Sequence, residues 1–233
     1  MKVKRFWTNT QVAPEGREFV IQLDSRLLKL PSGQALAVPF QTLAEGIASE
    51  WAAARQNFTP DDLPLTRLAT TAQDRIRVKR AEIIKQLTAF GMNDLLCYRA
   101  ADEPLLAQRE EQVWQPWIDW AEKQFGLALK STSGIMHIEQ STRCREIFIA
   151  HLSTMNEYQL AGLGVIVPSL GSLVLGLALE AGALTPDAAC ECANLGELWQ
   201  EARWGTDDEA AIRRQTGAKD VAVSVQFMIL CQP

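Results

Sequence analysis

Histidine is almost missing from this chain: His137 and His151 are the only two in 233 residues. No HExxH occurs, and the five cysteines form no CxxC. Cys190 and Cys192 stand two residues apart, a spacing that turns the two thiols to different faces of a helix. The ligand counts of zinc sites are not met, so no metal site is expected. Cys97, Cys144, Cys190, Cys192 and Cys231 are odd in number and scattered. They read as reduced thiols packed as small hydrophobes, in keeping with a cytosolic compartment. A basic excess is also missing. Lys and Arg number 23 against 28 Asp and Glu, a net charge of −5. That excludes a nucleic-acid binder, which needs a basic surface to neutralise phosphates. There is no GxxxxGK[ST] and no GxSxG, and Gly162-Leu163-Gly164 lacks the third glycine of a dinucleotide fingerprint. The N-terminus MKVKRFWTNT is basic, but no apolar run follows it as a secretory signal requires. Repeats and low-complexity tracts are absent.

What the chain does have is one long apolar stretch, Leu160–Leu179, without a charge. Length alone suits a membrane span, since about 18 apolar residues can cross a bilayer. Pro168 near its middle argues against one straight helix. Neither flank carries the Lys/Arg cluster or the Trp/Tyr belt that anchors a span. The stretch therefore reads as two helices meeting near Val167–Ser169, buried in a helical core, with no membrane insertion. Hydrophobic content of 47% and charged content of 22% are ordinary for a soluble globular protein and allow a large core.

Residues 3–38 read as β, with turn chemistry at Pro14-Glu15-Gly16, Asp24-Ser25-Arg26 and Pro31-Ser32-Gly33. From Gln41 to Asn57 the period becomes helical, with Leu43, Ile47 and Trp51 on one face. Pro60 and Pro64 make Phe58–Leu68 a loop. A second helix is expected over Gln73–Phe90, capped by Gly91, after which Asp94–Ala100 returns to the sheet. Pro104–Phe125 carries Trp114, Trp117, Ile118, Ala121 and Phe125 on one stripe and ends at Gly126. Leu127–Gln140 is open between a short hairpin and loop. Helices are expected over Thr142–Met155 and Asn156–Val167, then a second apolar helix to Glu180. Thr185-Pro186-Asp187 restarts a helix that runs to about Arg203, and Trp204-Gly205 breaks it. Thr206 and Glu209 have capping-box spacing. The expected class is α+β, with a β-rich domain over 1–102 that includes two helices, and an α-helical bundle over 103–233.

Catalytic groups are harder to find. Ser169 and Ser172 have no identifiable base. Carboxylates do cluster: Asp207, Asp208 and Glu209, with Glu197 and Glu201 one and two turns before Trp204. An enzyme using the acids around Asp207 is the alternative reading, but acids at a helix N-terminus are favoured without any catalysis. Trp204, at a helix break, is either a wedge between helices or an exposed anchor.

The order of motifs adds a name for the partner. LGSLVLGLALEAGAL, the Thr-Pro restart and LGELWQEARWGTDDEAAIRR resemble the C-terminal signature of the ATP synthase assembly chaperones that act on the α subunit of the catalytic head. RFW, LDSRLLKLPSGQALAVP, Glu50-Trp51, PLTRLATTAQDR and DLLCYRA agree in the N-terminal half. The chain departs from the family at Ser25, where glycine is usual, and at Gly196, where an acid is common. The resemblance implies a small β-rich N-terminal domain followed by an orthogonal helical bundle, with no enzymatic activity and no cofactor. It implies a protein, monomeric when free, that holds the unassembled α subunit. Its setting would be the bacterial cytoplasm, or the mitochondrial matrix in eukaryotic relatives. The contact is expected around Glu197, Glu201, Trp204, Gly205, Asp207 and Glu209. Trp51 either supports the interface or belongs to the core, and its stripe with Leu43 and Ile47 favours the core.

Overall fold

β-branched and aromatic residues gather before residue 40, and there the first strands form. They are β1 (Val3–Lys4), β2 (Thr10–Glu15), β3 (Glu18–Leu23), β4 (Arg26–Leu27) and β5 (Ala37–Val38). The structure, a computed structural model, describes residues 3–232. β3 is central: it pairs antiparallel with β2 along one edge and with β4 and β5 along the other. Val20, Ile21 and Leu23 on it are all buried. The Glu15↔Glu18 register leaves a two-residue turn in which Gly16 takes φ 65°. In the next turn the left-handed residue is Asp24 (φ 54°), not Ser25, so serine at 25 carries no left-handed strain. Asp24 holds the turn by accepting the amides of Asn9 (2.9 Å) and Thr8 (3.1 Å), bonds that keep its carboxyl below the usual carboxylate range.

α1 (Gln41–Ala53) buries Leu43 and Ile47 as expected, but stops before Asn57. Asn57–Phe58 instead forms β6 against β1, through Val3↔Phe58 and Lys4↔Asn57. The expected loop at Phe58–Leu68 is mostly not a loop. A 3-10 turn at Pro60–Asp62 leads into α2 (Pro64–Thr70), where Pro64 sits at a first-turn position that needs no N–H donor. A π-helical segment, Thr71–Ile76, follows, then α3 (Arg77–Met92), kinked at Lys79.

Gly91 is not the cap of α3 but a buried contact within it. A Cβ there would lie 2.6 Å from Phe148 Cε2 and 2.9 Å from Leu173 Cδ2. Gly91→Ala is therefore expected to lower unfolding stability by about 1–3 kcal/mol, although alanine is the better helix former. Urea unfolding checks this, and a gain in stability would mean that Phe148 moves aside freely.

A 3-10 turn at Leu95–Cys97 precedes β7 (Tyr98–Arg99). This strand does not rejoin the first sheet. After α4 (Pro104–Phe125), it pairs in parallel with β8 (Thr132–Ser133), which gives the open stretch Leu127–Gln140 its one short strand. Gly126 ends α4 in the left-handed conformation, as expected. α5 (Thr142–Thr154) is capped by Ser141, whose hydroxyl accepts the Cys144 amide.

The apolar run forms α6 (Glu157–Leu170) and α7 (Leu173–Glu180). Their junction is Gly171-Ser172, later than Val167–Ser169, and α6 continues through Pro168 to Leu170. Gly171 at φ 65° makes the break, and Ser172 caps α7. Residues Leu173 to Leu179 are all buried. Among the described residues no helix is long and apolar enough to cross a membrane.

The expected helix from Thr185 to Arg203 is two. Thr185 caps α8 (Pro186–Ala193), Asn194 leaves helical geometry, and α9 (Leu195–Trp204) follows. α10 (Asp208–Leu230) is capped by Asp207 rather than Thr206: Asp207 Oδ1 accepts the amides of Glu209 (2.9 Å) and Ala210 (3.3 Å).

Two compact units result. One comprises Met1–Arg80, Asn156–Gly162 and Val223–Pro233; the other comprises Ala81–Met155 and Leu163–Ala222. We propose separately a division by composition, with a β-rich domain over 1–102 that includes two helices and an α-helical bundle domain over 103–233. In the first unit Tyr158 is buried, with Phe40 edge-on at 5.3 Å. Gln73 Nε2 donates both to its hydroxyl (3.0 Å) and to the Ala37 carbonyl (2.5 Å).

Candidate functional site

Glu197, Glu201 and Trp204 are spaced i, i+4, i+7, so α9 carries them on one stripe. The two carboxylates do not face solvent alone. Arg214 on α10 donates to Glu197 (2.9 Å) and to Glu201 (2.5 Å), and Arg213 donates to Glu197 at 3.0 Å. The Arg214 guanidinium, 14% exposed, holds the Glu197 carboxyl below the usual carboxylate range; desolvation opposes it and Arg213 adds to it. Arg203 is also tied, donating to Glu103 at 2.6 Å and stacking 4.6 Å from the Trp199 ring centroid.

Trp204 is the residue left over, 76% exposed at the end of the helix. Gly205 (φ 93°) turns the chain immediately after it, and its N–H closes α9 on the Glu201 carbonyl. Ile212, 64% exposed one position before Arg213, and Leu198 add apolar surface to the same pair of helices. Sequence reasoning did not include Ile212, Leu198, Arg213 or Arg214. The signal available for the arginines was the run Ile212-Arg213-Arg214 one turn into a capped helix, following two acids on a stripe.

Asp207, Asp208 and Glu209 are exposed. Asp207 is occupied as a cap. A cavity of about 510 Å³ opens beside Glu197, Arg213 and Arg214, and none of those three acids lines it. Among the described residues no group of His, Cys, Asp and Glu could hold a metal ion. Burial pushes the Cys192 thiol up to about 12, which keeps it protonated and unreactive.

Trp51 lies in the first compact unit, in a cluster with Trp7 (4.9 Å) and Phe58 (5.7 Å). Its indole N–H donates to Thr66 Oγ1 at 2.9 Å. Its neighbour Glu50 accepts the amides of Leu65 (2.5 Å) and Thr66 (3.0 Å) and the Thr66 hydroxyl (2.8 Å), capping α2 from another helix. Burial pushes the Glu50 carboxyl up, against those bonds. The pair Glu50-Trp51 and the run Pro64-Leu65-Thr66 are thus two halves of one joint.

The family model described as ATP12 chaperone protein matches residues 4–122. The mitochondrial protein atp12 of Schizosaccharomyces pombe is 30% identical over 223 residues, covering 89% of this chain and 75% of that protein. The crystal structure of Atp12 from Paracoccus denitrificans superposes with a TM-score of 0.94 at 30% identity, covering 98% of each chain. The Atu1473 protein of Agrobacterium tumefaciens gives 0.95 at 32% identity, over 99% of this chain and 87% of the other.

Proposed function

Since this chain belongs to the ATP12 chaperone family, we propose that it is an ATP synthase assembly chaperone that binds the unassembled α subunit of the catalytic head. It acts as a monomer, in the cytoplasm of a bacterium or the mitochondrial matrix of a eukaryotic relative. The logic is mass action. A subunit awaiting its partner exposes an apolar surface that drives aggregation, and a protein binding that surface lowers the free concentration of the exposed form. Release comes when the β subunit competes for the same face. No chemistry is asked of the chaperone, and the acids around Asp207 serve as caps and rim charges.

The observation that carries this reading is Trp204, exposed at the end of a helix whose own charged side chains are already paired. A large indole at a solvent-facing helix end is the kind of anchor that dominates protein interfaces. Glu209 and Asp207 lie after it in sequence and steer approach of a basic rim on the client. Trp51 is assigned to the packing of its own unit.

The test is aggregation of purified α subunit on dilution from denaturant, followed by light scattering. About one equivalent of this protein should suppress scattering, and added β subunit should reverse the association. Scattering unaffected by a severalfold excess would sink the proposal.

A further inference from the structure

Val3, Phe6 and Leu27 are exposed large apolar side chains, and all three line one groove of about 580 Å³ in the first compact unit. Trp7 and Trp51 also line it. Both indole N–H groups are already used, Trp7 on the Trp51 carbonyl (3.2 Å) and Trp51 on Thr66. Trp7 is buried beneath the groove and Trp51 is half-buried, so the floor offers part of the Trp51 ring as apolar surface and no free donor. Among the described residues, the ionisable ones in the lining are Arg26 and Lys29, with no acid. Asp24, two residues before Arg26, directs its carboxylate to the Thr8 and Asn9 amides; it lies outside the lining but within electrostatic reach of Arg26 and Arg5, and offsets part of their charge. Arg5 lies outside the lining, its guanidinium 5.4 Å from the Trp7 ring centroid and anchored on the Ala52 and Ala54 carbonyls.

In a chain of net charge −5, an apolar groove whose described lining residues include two cations and no acid is a local reversal. What it lacks is what its occupant must bring: apolar side chains for Phe6, Leu27 and the Trp51 indole, and a carboxylate for Arg26 and Lys29. We infer that this groove docks a segment of a client polypeptide in which aliphatic or aromatic residues are flanked by Asp or Glu. Two lining cations suit one or two carboxylates, whereas anionic bilayers are held by clusters of about four to eight basic residues. The contact uses none of the residues of α9. It rests on the chaperone reading only for the source of the segment.

The full-length protein should be titrated calorimetrically with a short synthetic peptide carrying Leu, Phe and Glu, and with a twin in which Lys replaces Glu. The Glu peptide should bind about tenfold tighter than its twin, since complementary charge at a groove is worth about one factor of ten in affinity. The double variant Arg26→Glu, Lys29→Glu should invert that preference. Phe6→Ser and Leu27→Ser, both at exposed positions, should each weaken the Glu peptide about fivefold with the circular dichroism spectrum unchanged. Equal affinities for the two peptides would overturn the inference. So would binding to phosphatidylserine vesicles in place of the peptide, or concentration-dependent dimerisation abolished by Phe6→Ser. No α subunit takes part, so the result stands apart from the aggregation assay.

Discussion

Trp204→Ala should weaken binding to the client by about thirtyfold or more, the loss typical of a central interface anchor, while moving the melting temperature by no more than about 2 °C. The asymmetry follows from where the ring stands. At 76% exposed it fills no core space, so truncation opens no cavity, and surface changes of this kind usually stay within about 0.5 kcal/mol. The ring is nevertheless well placed to be bound. Gly205 N–H donates to the Glu201 carbonyl, and the Glu201 carboxylate is gripped by Arg214 at 2.5 Å. A partner meeting this helix end pays little to order it, and that low ordering cost is what turns apolar contact into affinity. Titration calorimetry with the α subunit, alongside thermal unfolding of the free variant, separates the two quantities. An affinity within about twofold of the parent, too small for a hot spot, would take Trp204 out of the interface and α9 with it.

The parts of this fold that could be read from sequence are those where one residue type has one use. The strands of β2 and β3 followed from turn chemistry at Gly16 and Asp24, and Leu43 with Ile47 fixed the buried face of α1. Gly126 and Thr185 cap the helices they were expected to cap. Misreadings fell where a residue has two uses. Pro64 and Pro168 read as breakers from sequence, yet a proline in the first turn is favourable, and α6 runs two residues past Pro168 before it ends. Gly91 was read as a cap, but glycine also permits close approach, and only the position of Phe148 distinguishes these. Thr206 and Asp207 are adjacent capping residues, and the chain uses the second.

Legibility of the candidate site divides in the same way. The stripe Glu197, Glu201, Trp204 is a matter of spacing within one helix. Its partners Arg213 and Arg214 belong to the next helix, and no periodicity announces which cation meets which acid across a turn. Glu50-Trp51 and Pro64-Leu65-Thr66 were both visible as motifs. That one caps and bonds the other required the fold.

The largest stability effect is expected at Asp94, a residue the sequence placed only at the start of a short strand-like run. It is fully buried, and its two oxygens join two chain reversals. Oδ1 accepts the Leu96 amide (3.1 Å) in the 3-10 turn, and Oδ2 accepts the Val174 amide (3.0 Å) in the first turn of α7. Asp94→Ala leaves these buried donors without an acceptor, at about 1–3 kcal/mol for each, a large share of a stability of about 5–15 kcal/mol. The carboxyl also reports on pH. Burial raises it from 3.8 to about 6, against the opposing bonds from Val174, Ser172, Leu96 and Leu173. In the native state it therefore holds its proton over a range where the unfolded chain has lost it. Its contribution is fully present below about pH 3.8 and is lost as pH rises through about 6. Asp94→Asn retains the shape without the titration. Between pH 4 and 7 the parent should lose about 2–3 kcal/mol relative to this variant, as a shift of about two pKa units requires. Urea unfolding of both proteins across that range measures the difference. Parallel stability curves would mean that Asp94 folds already ionised, with its donors outweighing the cost of burying the charge, and the joint between the Leu95 turn and α7 would then be an ion held by amides.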